Sequence, residues 1–444
     1  MSILTRVRTR AEVEKEQEGN VVAVGGIFGY IELGCAVIVI GCLFCFLIMF
    51  LTLRGKKVKY VALPQQPPQT RFAVIIPARN ESRVIEGNLR ALHEADYPAE
   101  LFDTYVIVER MDDPTVEICK NYPRTHIFLR QNLDHQGKGY ALDECIKSIF
   151  AGDIAYDAFL FLDADNIVCK NFFSRMNDAC AAGYDAACGK RNNKDWNAST
   201  VAASSGVIFT IINSIQNKPK AARGMNVTVS GTGFCVKCDV LRPLGGWPFF
   251  TLTEDYEFST YAVCHGLRTT YIDDAMFYDE QPVRFWQSII QRTRWVKGYF
   301  TVWKKYRKDK REYHKNAPES KDLKSMQWGT VPGFIVVVVW LVYFFAVLAR
   351  LIISLIAKDG LIVPLLIRLG GILALFYFAV FFLTIYVLIL DRKYIDLTPF
   401  NAIKTVLYNP VYLASFAIAA VRSLFLKNKW EVIEHTLGTD AVKL

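Results

Sequence analysis

Two aspartates one residue apart, Asp163 and Asp165, directly follow the apolar run Phe159 to Leu162. Such a run is typical of a strand buried on both faces of a parallel sheet, and the two acids therefore follow the end of that strand. Carboxylate oxygens are the ligands that Mg²⁺ and Mn²⁺ prefer, and both ions share their coordination with phosphate oxygens. Paired acids are common in surface loops, so it is the buried strand before them that favours a divalent-metal site.

A glycine-flanked lysine, Lys138, stands in the segment Gln136 to Gly139, just before a helical stretch from Tyr140 to Phe150. Glycine lets the backbone approach a phosphate, the start of a helix offers free N–H groups, and the lysine adds positive charge. Taken alone, the segment is more typical of an ordinary glycine turn with a solvated lysine. Its position before a helix is what makes it a candidate for diphosphate binding.

Two earlier predicted strands, Phe72 to Pro77 and Thr104 to Val108, are also followed by side chains able to bind a ligand. These residues are Pro77, Arg79, Glu81, Glu109 and Asp113. Ligands of doubly wound sheets bind beyond the carboxyl ends of the strands. We therefore expect these residues at the same sheet edge as Asp163.

Two further clusters lie later in the chain. Glu254 and Asp255 follow a turn-rich stretch, and Gln291, Arg294 and Trp295 stand at positions i, i+3 and i+4 of an amphipathic segment. The spacing places the last three on one helical face. An amide, a guanidinium and an indole suit a sugar diphosphate or a saccharide ring. The alternative is a helix on a membrane surface that uses arginine and tryptophan as interfacial anchors.

These residues need elements that position them. The predicted strands 72–77, 104–108 and 158–162 alternate with predicted helices 83–94, 115–120 and 140–150. Strands separated by crossover helices predict an α/β domain with a doubly wound, mostly parallel sheet.

Long apolar runs flank that domain in a chain of 444 residues, 52% of them hydrophobic. Leu33 to Leu53, Val331 to Ala349 and Leu369 to Leu390 carry no charge and are long enough to cross a ~30 Å hydrocarbon core. Leu407 to Leu426 is a weaker candidate because it contains Pro410 and Arg422. The sequence predicts an α-helical transmembrane region joined to the α/β domain.

Basic residues flank these runs. They are Arg54, Lys56, Lys57 and Lys59 after the first run, and Lys304, Lys305, Arg307, Lys308, Lys310 and Arg311 before the second. Under the positive-inside rule both clusters are cytosolic, which predicts a multi-pass plasma-membrane protein whose catalytic domain faces the cytosol. The net charge of +9 then reflects contact with the lipid bilayer, and no nucleic-acid partner is expected.

Taken together, the motifs resemble the membrane-embedded family-2 glycosyltransferases, which include cellulose, hyaluronan and poly-N-acetylglucosamine synthases. The resemblance extends over roughly Phe72 to Phe300. It rests on Val74 to Glu81, Gly137 to Gly139, Asp163 to Asp165, Gly231 to Phe234, Thr253 to Asp255 and Gln291 to Trp295, which stand in the order typical of that family.

The resemblance implies a GT-A fold, a UDP-sugar donor and Mg²⁺ or Mn²⁺ as cofactor. It implies that Asp163 and Asp165 hold the metal and that Asp255, next to Glu254 at the catalytic position, is the general base of an inverting transfer. Residues implied to bind the donor are Pro77, Arg79, Glu81, Glu109, Asp113, Lys138, Asp163 and Arg294. Residues implied to bind the glycan acceptor are Gly231, Thr232, Gln291 and Trp295.

The sequence also departs from the resemblance. Glu109 stands where many relatives have aspartate, and whether Glu109 or Asp113 meets the uracil stays open. The gating loop of cellulose synthases does not follow Trp295 at the expected distance, and no cyclic-dinucleotide-binding domain is appended. The tail from Trp430 to His435 resembles the ending of smaller bacterial relatives, either as a cover for the active site or as an interfacial helix.

The expected function is extension of a β-linked polysaccharide, cellulose-like or mixed-linkage, from UDP-glucose, with export through the membrane helices. Trp340, Tyr343, Tyr377 and Tyr386 are the candidate pore residues, although each is as readily explained by helix packing. The alternative is transfer of one sugar to a membrane lipid, and a distant alternative is a non-enzymatic transporter. The sequence does not indicate the oligomeric state.

The expected organisation comprises an N-terminal segment 1–24, a membrane helix 25–53, a linker 54–70, the catalytic domain 71–281, interface helices 282–330, membrane helices 331–356 and 361–390, a segment 398–427 and a tail 428–444. If 398–427 crossed the membrane, the basic residues Lys427 and Lys429 would lie outside, against the positive-inside rule. A re-entrant hairpin at Asn409-Pro410 is the alternative.

Overall fold

The structure, a computed structural model, describes residues 26–38, 40–41, 59–323, 326, 331–358 and 360–425. The predicted segment 1–24, part of the predicted helix 25–53 and the predicted tail 428–444 lie outside these residues. The expectations for Arg54, Lys56, Lys57 and the tail therefore stay predictions.

The centre of the described region is a sheet of eight strands. The strands are β1 Phe72–Pro77, β2 Phe102–Val108, β3 Thr125–Leu129, β4 Ala158–Phe161, β5 Ile167–Val168, β6 Ala186–Asn193, β7 Phe234–Lys237 and β8 Thr269–Asp279. Their order is β3-β2-β1-β4-β7-β6-β8-β5. Strands β1 to β4 pair in parallel, whereas β7 runs antiparallel to β4 and β6. The prediction of a mostly parallel sheet therefore holds for β1 to β4, and the sheet as a whole is mixed.

Helices cover the sheet and continue beyond it. They are α1 Gly26–Ile38, α2 Ile85–His93, α3 Pro114–Cys119, α4 Lys138–Ala151, α5 Phe172–Ala181, α6 Thr200–Thr210, α7 Lys218–Ala221, α8 Cys238–Leu241, α9 Glu254–Cys264, α10 Phe285–Lys305, α11 Arg307–Asn316, α12 Val331–Ala357, α13 Ile362–Leu390, α14 Pro399–Ala414 and α15 Phe416–Phe425. A π-helical segment, Ile211–Asn217, continues α6.

Successive side chains of β1 enter two separate cores. Val74 and Ile76 pack with helices α2, α3 and α5 on one face, and Ala73 and Ile75 pack with α4 and α9 on the other. Alternation of side chains along a strand sends neighbouring residues to opposite faces, so a strand covered on both sides must be apolar throughout. This explains why the run Phe72 to Pro77 has no polar position.

Among the described residues, two helical segments are long and apolar enough to cross a membrane, namely α13 and the stretch Pro399–Phe425 formed by α14 and α15. Gly26–Ile38 and Val342–Ala357 are shorter apolar helical stretches. Glu32 of α1 accepts one hydrogen bond from Arg350 of α12, at 3.2 Å, and its Oε2 lies 3.6 Å from Arg368 of α13. This ion cluster joins three helices at one end of the bundle.

The opposite end of α13 rests on the sheet domain. Lys190 of β6 is buried, and its Nζ lies 3.1 Å from Asp391, the residue after α13, and 3.4 Å from Asp273. Asn197 accepts hydrogen bonds from Thr398 N at 3.1 Å and from Asn401 Nδ2 at 2.9 Å. The connection between α13 and α14 is thereby held against the sheet domain.

Helix α14 continues through Asn409 and Pro410, so the chain does not turn at these two residues, and whether the segment 398–427 crosses the membrane stays a prediction. Asn409 Nδ2 donates a hydrogen bond to Thr384 Oγ1 of α13 at 2.8 Å, which stabilises the helix pair beside the proline. The helix is interrupted later, at Ser415.

Candidate functional site

The loop after β4 presents Asp163 and Asp165 at the carboxyl end of the parallel strands, as the sequence predicts. The side chain of Asp163 is 40% exposed, whereas Asp165 is buried. Asp165 Oδ2 accepts a hydrogen bond from Glu280 N at 2.7 Å, just after β8. Asn88 of α2 donates to the carbonyl of Asp163 at 2.9 Å. The loop is thus held from two sides, with one carboxylate open and the other supported beneath it.

Thr232 supports this loop from below. Its hydroxyl accepts a hydrogen bond from Asp163 N at 2.8 Å and also contacts Asn166 Oδ1, and the residue is only 1% exposed. The glycines on either side, Gly231 and Gly233, have φ values of 77° and 66°, which favour glycine. A Cβ at Gly233 would also lie 2.0 Å from the Phe277 ring. Thr232 therefore supports the loop that carries Asp163, and its contact with an acceptor stays a prediction.

Lys138 at the start of α4 connects the two loops. Its Nζ lies 2.5 Å from Asp163 Oδ1 and 2.7 Å from the carbonyl of Gly231. Burial alone would lower the pKa of Lys138, but the charges of Asp163, Glu254 and Asp255 raise it above its ordinary value. The lysine is therefore held charged among carboxylates, the state in which it can attract a diphosphate.

Glu254 and Asp255 form the first turn of α9, where the helix dipole favours acids. Asp255 faces Gly231, since a Cβ on that glycine would lie 3.7 Å from Asp255 Oδ2. Burial raises the pKa of Asp255, while the N–H of Tyr256 and the charges of Lys138 and Arg191 oppose the shift. Burial also raises the pKa of Glu254 to about 8.

Helix α10, which carries Gln291, Arg294 and Trp295, packs on the start of α9. The close approach occurs at Gly298, where a Cβ would lie 2.4 Å from Thr253 Oγ1. Within the described residues, the buried Oε1 of Gln291 has no hydrogen-bond partner. An unpaired buried acceptor is costly, so a ligand hydroxyl would stabilise it.

At the outer edge of the sheet, Glu109 follows β2 and Arg79 follows β1. Their side chains form an ion pair at 3.2 Å, and Arg130 lies 3.5 Å from the other Glu109 oxygen. The Glu109 side chain is 28% exposed. Pro77 is the last residue of β1 and precedes Arg79 by two residues at this edge of the sheet.

Asp113 instead caps a helix. Its Oδ1 accepts from Thr115 N at 2.9 Å and its Oδ2 accepts from Asn80 N at 2.8 Å, and the residue is buried. Glu81 N donates to the Thr115 hydroxyl at 3.0 Å, which joins the same turn. Both oxygens of Asp113 are thus engaged, which leaves Glu109 as the more accessible of the two acids.

Arg191 and Asp279 are site residues that the sequence reasoning missed. Arg191 Nε donates to Asp279 Oδ2 at 2.7 Å, and its guanidinium lies 3.8 Å above the Phe209 ring. Phe209 in turn meets Trp295 edge to face at 5.8 Å. Burial raises the pKa of Asp279 to about 6, opposed by the charge of Arg191. The sequence pattern that could have identified them is weak, because Arg191 is a single charge in strand β6 and its partner lies 88 residues away.

The donor set at Asp163 and Asp165 fits a divalent cation that also binds a substrate. Across the described residues, no group of three or more histidine, cysteine or acidic side chains is arranged to hold a metal alone. Mg²⁺ and similar ions are commonly held by one or two carboxylates together with phosphate oxygens. The exposed Asp163 and the supported Asp165 match that arrangement.

The site therefore combines the exposed Asp163 and the buried Asp165 with a charged lysine and the Asp255 carboxylate beside Gly231. The neighbouring helix α10 carries an indole and an amide oxygen without a hydrogen-bond partner in the described part of the chain. Such a set can bind a diphosphate, hold a polar ring and accept a proton.

Comparison with known proteins agrees with this description. The model of the family described as glycosyltransferase like family 2 matches residues 67–298. The probable glycosyltransferase YdaM of Bacillus subtilis strain 168 is 26% identical over 241 residues, which are 51% of this chain. The matched part is 55% of the relative, so the chain spans about half the length of that protein.

Among solved structures, the mannosyltransferase PcManGT from Pyrobaculum calidifontis, in complex with GDP-Man and Mn²⁺, superposes with a TM-score of 0.57 at 16% identity. The match covers 88% of this chain and 99% of PcManGT, which shows a shared fold. TarS 1–349 of S. aureus in complex with UDP-GlcNAc gives a TM-score of 0.34 at 18% identity, over 48% of this chain and 59% of that one. Because the family model covers more than half of the chain, this protein is a member of the family-2 glycosyltransferases.

Proposed function

We propose that this protein is an inverting glycosyltransferase that moves a hexose from a UDP-sugar to an acceptor hydroxyl at a membrane surface, with Asp255 as the general base. The observation that carries the proposal is the convergence on Gly231. Lys138 lies on one side of this glycine and Asp255 on the other. A donor diphosphate beside Lys138 would place its sugar next to Asp255.

In the proposed reaction, an Asp255 carboxylate oxygen accepts the proton of the acceptor hydroxyl. The hydroxyl oxygen bonds to the anomeric carbon from the face opposite the diphosphate, and the bond to the leaving UDP oxygen breaks with its electron pair. One displacement converts an α-linked donor into a β-linked product. A positioned carboxylate contributes roughly 10²- to 10⁴-fold to such a step.

The transfer also requires that the negative charge developing on the leaving diphosphate be neutralised. Lys138 is partly buried and charged, and we propose that its ammonium group exchanges Asp163 for a phosphate oxygen when the donor binds. Preorganised charge aimed at a leaving group is commonly the largest part of catalysis. A Mg²⁺ or Mn²⁺ ion held by Asp163 and Asp165 would supply Lewis-acid neutralisation of the diphosphate. Arg294 on the adjacent helix is proposed to add a further cation.

Recognition of the nucleotide is assigned to the edge of β1 and β2. We favour Glu109 for the uracil, because both Asp113 oxygens accept backbone N–H groups. Arg79 holds Glu109 in place through their ion pair. UDP-glucose is proposed as the donor from the family resemblance.

The proposal includes a membrane location with the catalytic domain on the cytosolic side. The length and the apolar composition of α13 support the proposed membrane location. The contact of Lys190 with Asp391 supports an arrangement in which α13 ends on the side of the catalytic domain.

The acceptor can be a growing β-linked polysaccharide or a membrane lipid, and the packing of three expected pore residues favours the lipid. Tyr343 is buried in a cluster with Val347 and Leu365. The Tyr377 hydroxyl donates a hydrogen bond to the Leu407 carbonyl at 2.9 Å, and Tyr386 packs against the apolar cluster that contains Trp196. These side chains stabilise contacts between helices. The side chain of Trp340 lies outside the description.

The test uses purified full-length protein with Mg²⁺ or Mn²⁺ and each common UDP-sugar, in lipid vesicles. Released UDP measures turnover, the product is sized and digested with linkage-specific hydrolases, and NMR gives its anomeric configuration. Asp255→Asn is compared with Asp239→Asn, which alters an exposed acid on α8.

We expect a β-configured product and a loss of turnover on the order of 10²- to 10⁴-fold in Asp255→Asn only. An α-configured product, or full turnover in Asp255→Asn, would refute the proposed mechanism. A single-sugar glycolipid supports the lipid acceptor, whereas a long polymer supports the polysaccharide.

A further inference from the structure

Arg292 lies between Gln291 and Arg294 in sequence, yet it faces away from the site. The residue is fully buried, at 0% exposure. No carboxylate contacts it among the described residues, and burial lowers the pKa of its guanidinium. A buried charge without an opposite charge is costly unless hydrogen bonds satisfy it.

The guanidinium of Arg292 is satisfied by hydrogen bonds within α10 and by one hydrogen bond to α14. Within α10, Nε donates to the Ser288 carbonyl at 3.1 Å and Nη2 donates to the Ser288 hydroxyl at 3.1 Å. Across the interface, Nη1 donates to the carbonyl of Tyr412 at 2.8 Å. The guanidinium plane also lies 4.1 Å from the Tyr412 ring and 4.8 Å from the Phe416 ring.

The receiving carbonyl belongs to a helix end. Tyr412 lies in the last turn of α14, which ends at the C-cap Ser415 before α15 begins. Carbonyls in the last turn of a helix lack an intrahelical N–H partner and need another donor. The Ser415 hydroxyl donates to the Tyr412 carbonyl at 2.6 Å, and Arg292 adds a second donor from the neighbouring helix. The rigid fork of guanidinium donors fixes the angle between the two elements.

We infer that Arg292 is a positioning residue for the transfer reaction, which locks α10 onto the α14–α15 junction so that Gln291, Arg294 and Trp295 keep their register against Asp255. The inference rests on the proposed function of those residues. It explains why a costly buried cation is placed in the middle of the motif. Of the proposed donor contacts, Arg294 lies on α10, whereas Lys138, Asp163 and Glu109 belong to other elements, so we expect loss of the lock to act mainly on kcat.

The test compares Arg292→Met, Arg292→Lys and Ser288→Ala with wild type in vesicles. Arg311→Met, on the exposed part of α11, is the control. Because no carboxylate contacts Arg292 among the described residues, replacing it by methionine leaves no unpaired charge behind. We expect Arg292→Met to keep its thermal midpoint and its donor KM within about twofold, while kcat falls about 10- to 100-fold, the scale of a ~1 Å misplacement.

Arg292→Lys keeps the positive charge but loses the planar set of guanidinium donors. We expect an unchanged donor KM and a loss of about 3- to 10-fold in kcat. If Arg292→Met does not fold, the kcat and donor KM of Arg292→Lys test the inference instead. Wild-type kcat in these variants, or a donor KM that rises in step with the loss of kcat, would overturn the inference. A wild-type protein that turns over no sugar donor would instead refute the proposed function, so the two failures are distinct.

Discussion

The substitution Gly298→Ala tests how tightly the acceptor helix must sit on the catalytic turn. Gly298 follows Trp295 by one turn of α10, and it packs on Thr253, directly before Glu254. A Cβ at position 298 would lie 2.4 Å from Thr253 Oγ1 and 2.6 Å from its Cγ2. Non-bonded carbon atoms rest at about 3.5–4.0 Å, so the two helices must separate by about 1 Å. Threonine is short and β-branched, and it cannot swing aside.

The expected result is a fall in kcat of about 10- to 100-fold, because a misplacement of about 1 Å can cost that much, with a loss of stability of about 1–3 kcal/mol from overpacking. UDP release measures kcat, and thermal unfolding measures stability. Thr253→Ala in the same chain removes both clashing γ atoms and should restore part of the rate.

Gly370→Ala is the matched control, since nothing lies within 4 Å of the Cβ position there. A Gly298→Ala enzyme with wild-type kcat would refute the reasoning, because it would show that α10 and α9 need no close contact during transfer.

Three further predictions follow from buried charges. Burial raises the pKa of Glu254 from 4.5 to about 8, so the folded free protein keeps a proton that the unfolded chain loses. Stability should therefore fall as the pH rises from about 5 to 8, and Glu254→Gln should flatten that decline in thermal melts. Lys190→Met leaves Asp391 and Asp273 buried without this cation, and chemical denaturation should show a loss of about 3–5 kcal/mol; a loss below about 1 kcal/mol contradicts the docking role. Asp165→Asn should weaken Mn²⁺ binding in the presence of UDP, measured by calorimetry, whereas Asp239→Asn should not.

The parallel half of the sheet is the part of the fold that local patterns predict well. Strand β1 was predicted with the bounds that it has, and helices α2, α3 and α4 begin or end within two residues of the predicted limits. Strands buried on both faces must be uniformly apolar, so their signal is local. Strand β3 was missed because it lies at the sheet edge, where its five residues are only partly buried and include His126.

The second half of the sheet, from β7 to β5 in the strand order, and part of the site depend on contacts between distant residues. Strand β7 pairs with β4 although 72 residues separate the ends of the two strands, Phe161 and Phe234 being direct partners. The pairing of Arg191 with Asp279 depends on the parallel register of β6 and β8, which no local pattern encodes. Acidic motifs at strand ends were recognisable because topology alone brings them to one edge.

The segment Pro399–Phe425 is apolar enough to cross a membrane, yet its contacts favour a position along the catalytic domain. Near its start, Thr398 contacts Asn197, and further along Tyr412 contacts Arg292. Both partners lie in the matched region 67–298. The two contact points are separated by 14 residues of mostly helical chain, which is about 21 Å of helix. A helix leaving the domain along the membrane normal would lose contact with it over that length.

We therefore predict that this segment lies at the membrane interface and that its end stays on the catalytic side. That position removes the conflict with the positive-inside rule at Lys427 and Lys429. A cysteine introduced at Phe425, which is 81% exposed, should react with a membrane-impermeant maleimide in sealed vesicles whose catalytic domain faces outward. A cysteine at Lys358, after α12, should react only from the opposite side, and peptide mass spectrometry separates both from native cysteines. Labelling of position 425 only from the Lys358 side would mean that the segment crosses the membrane after all, because only a crossing places the two positions on one face.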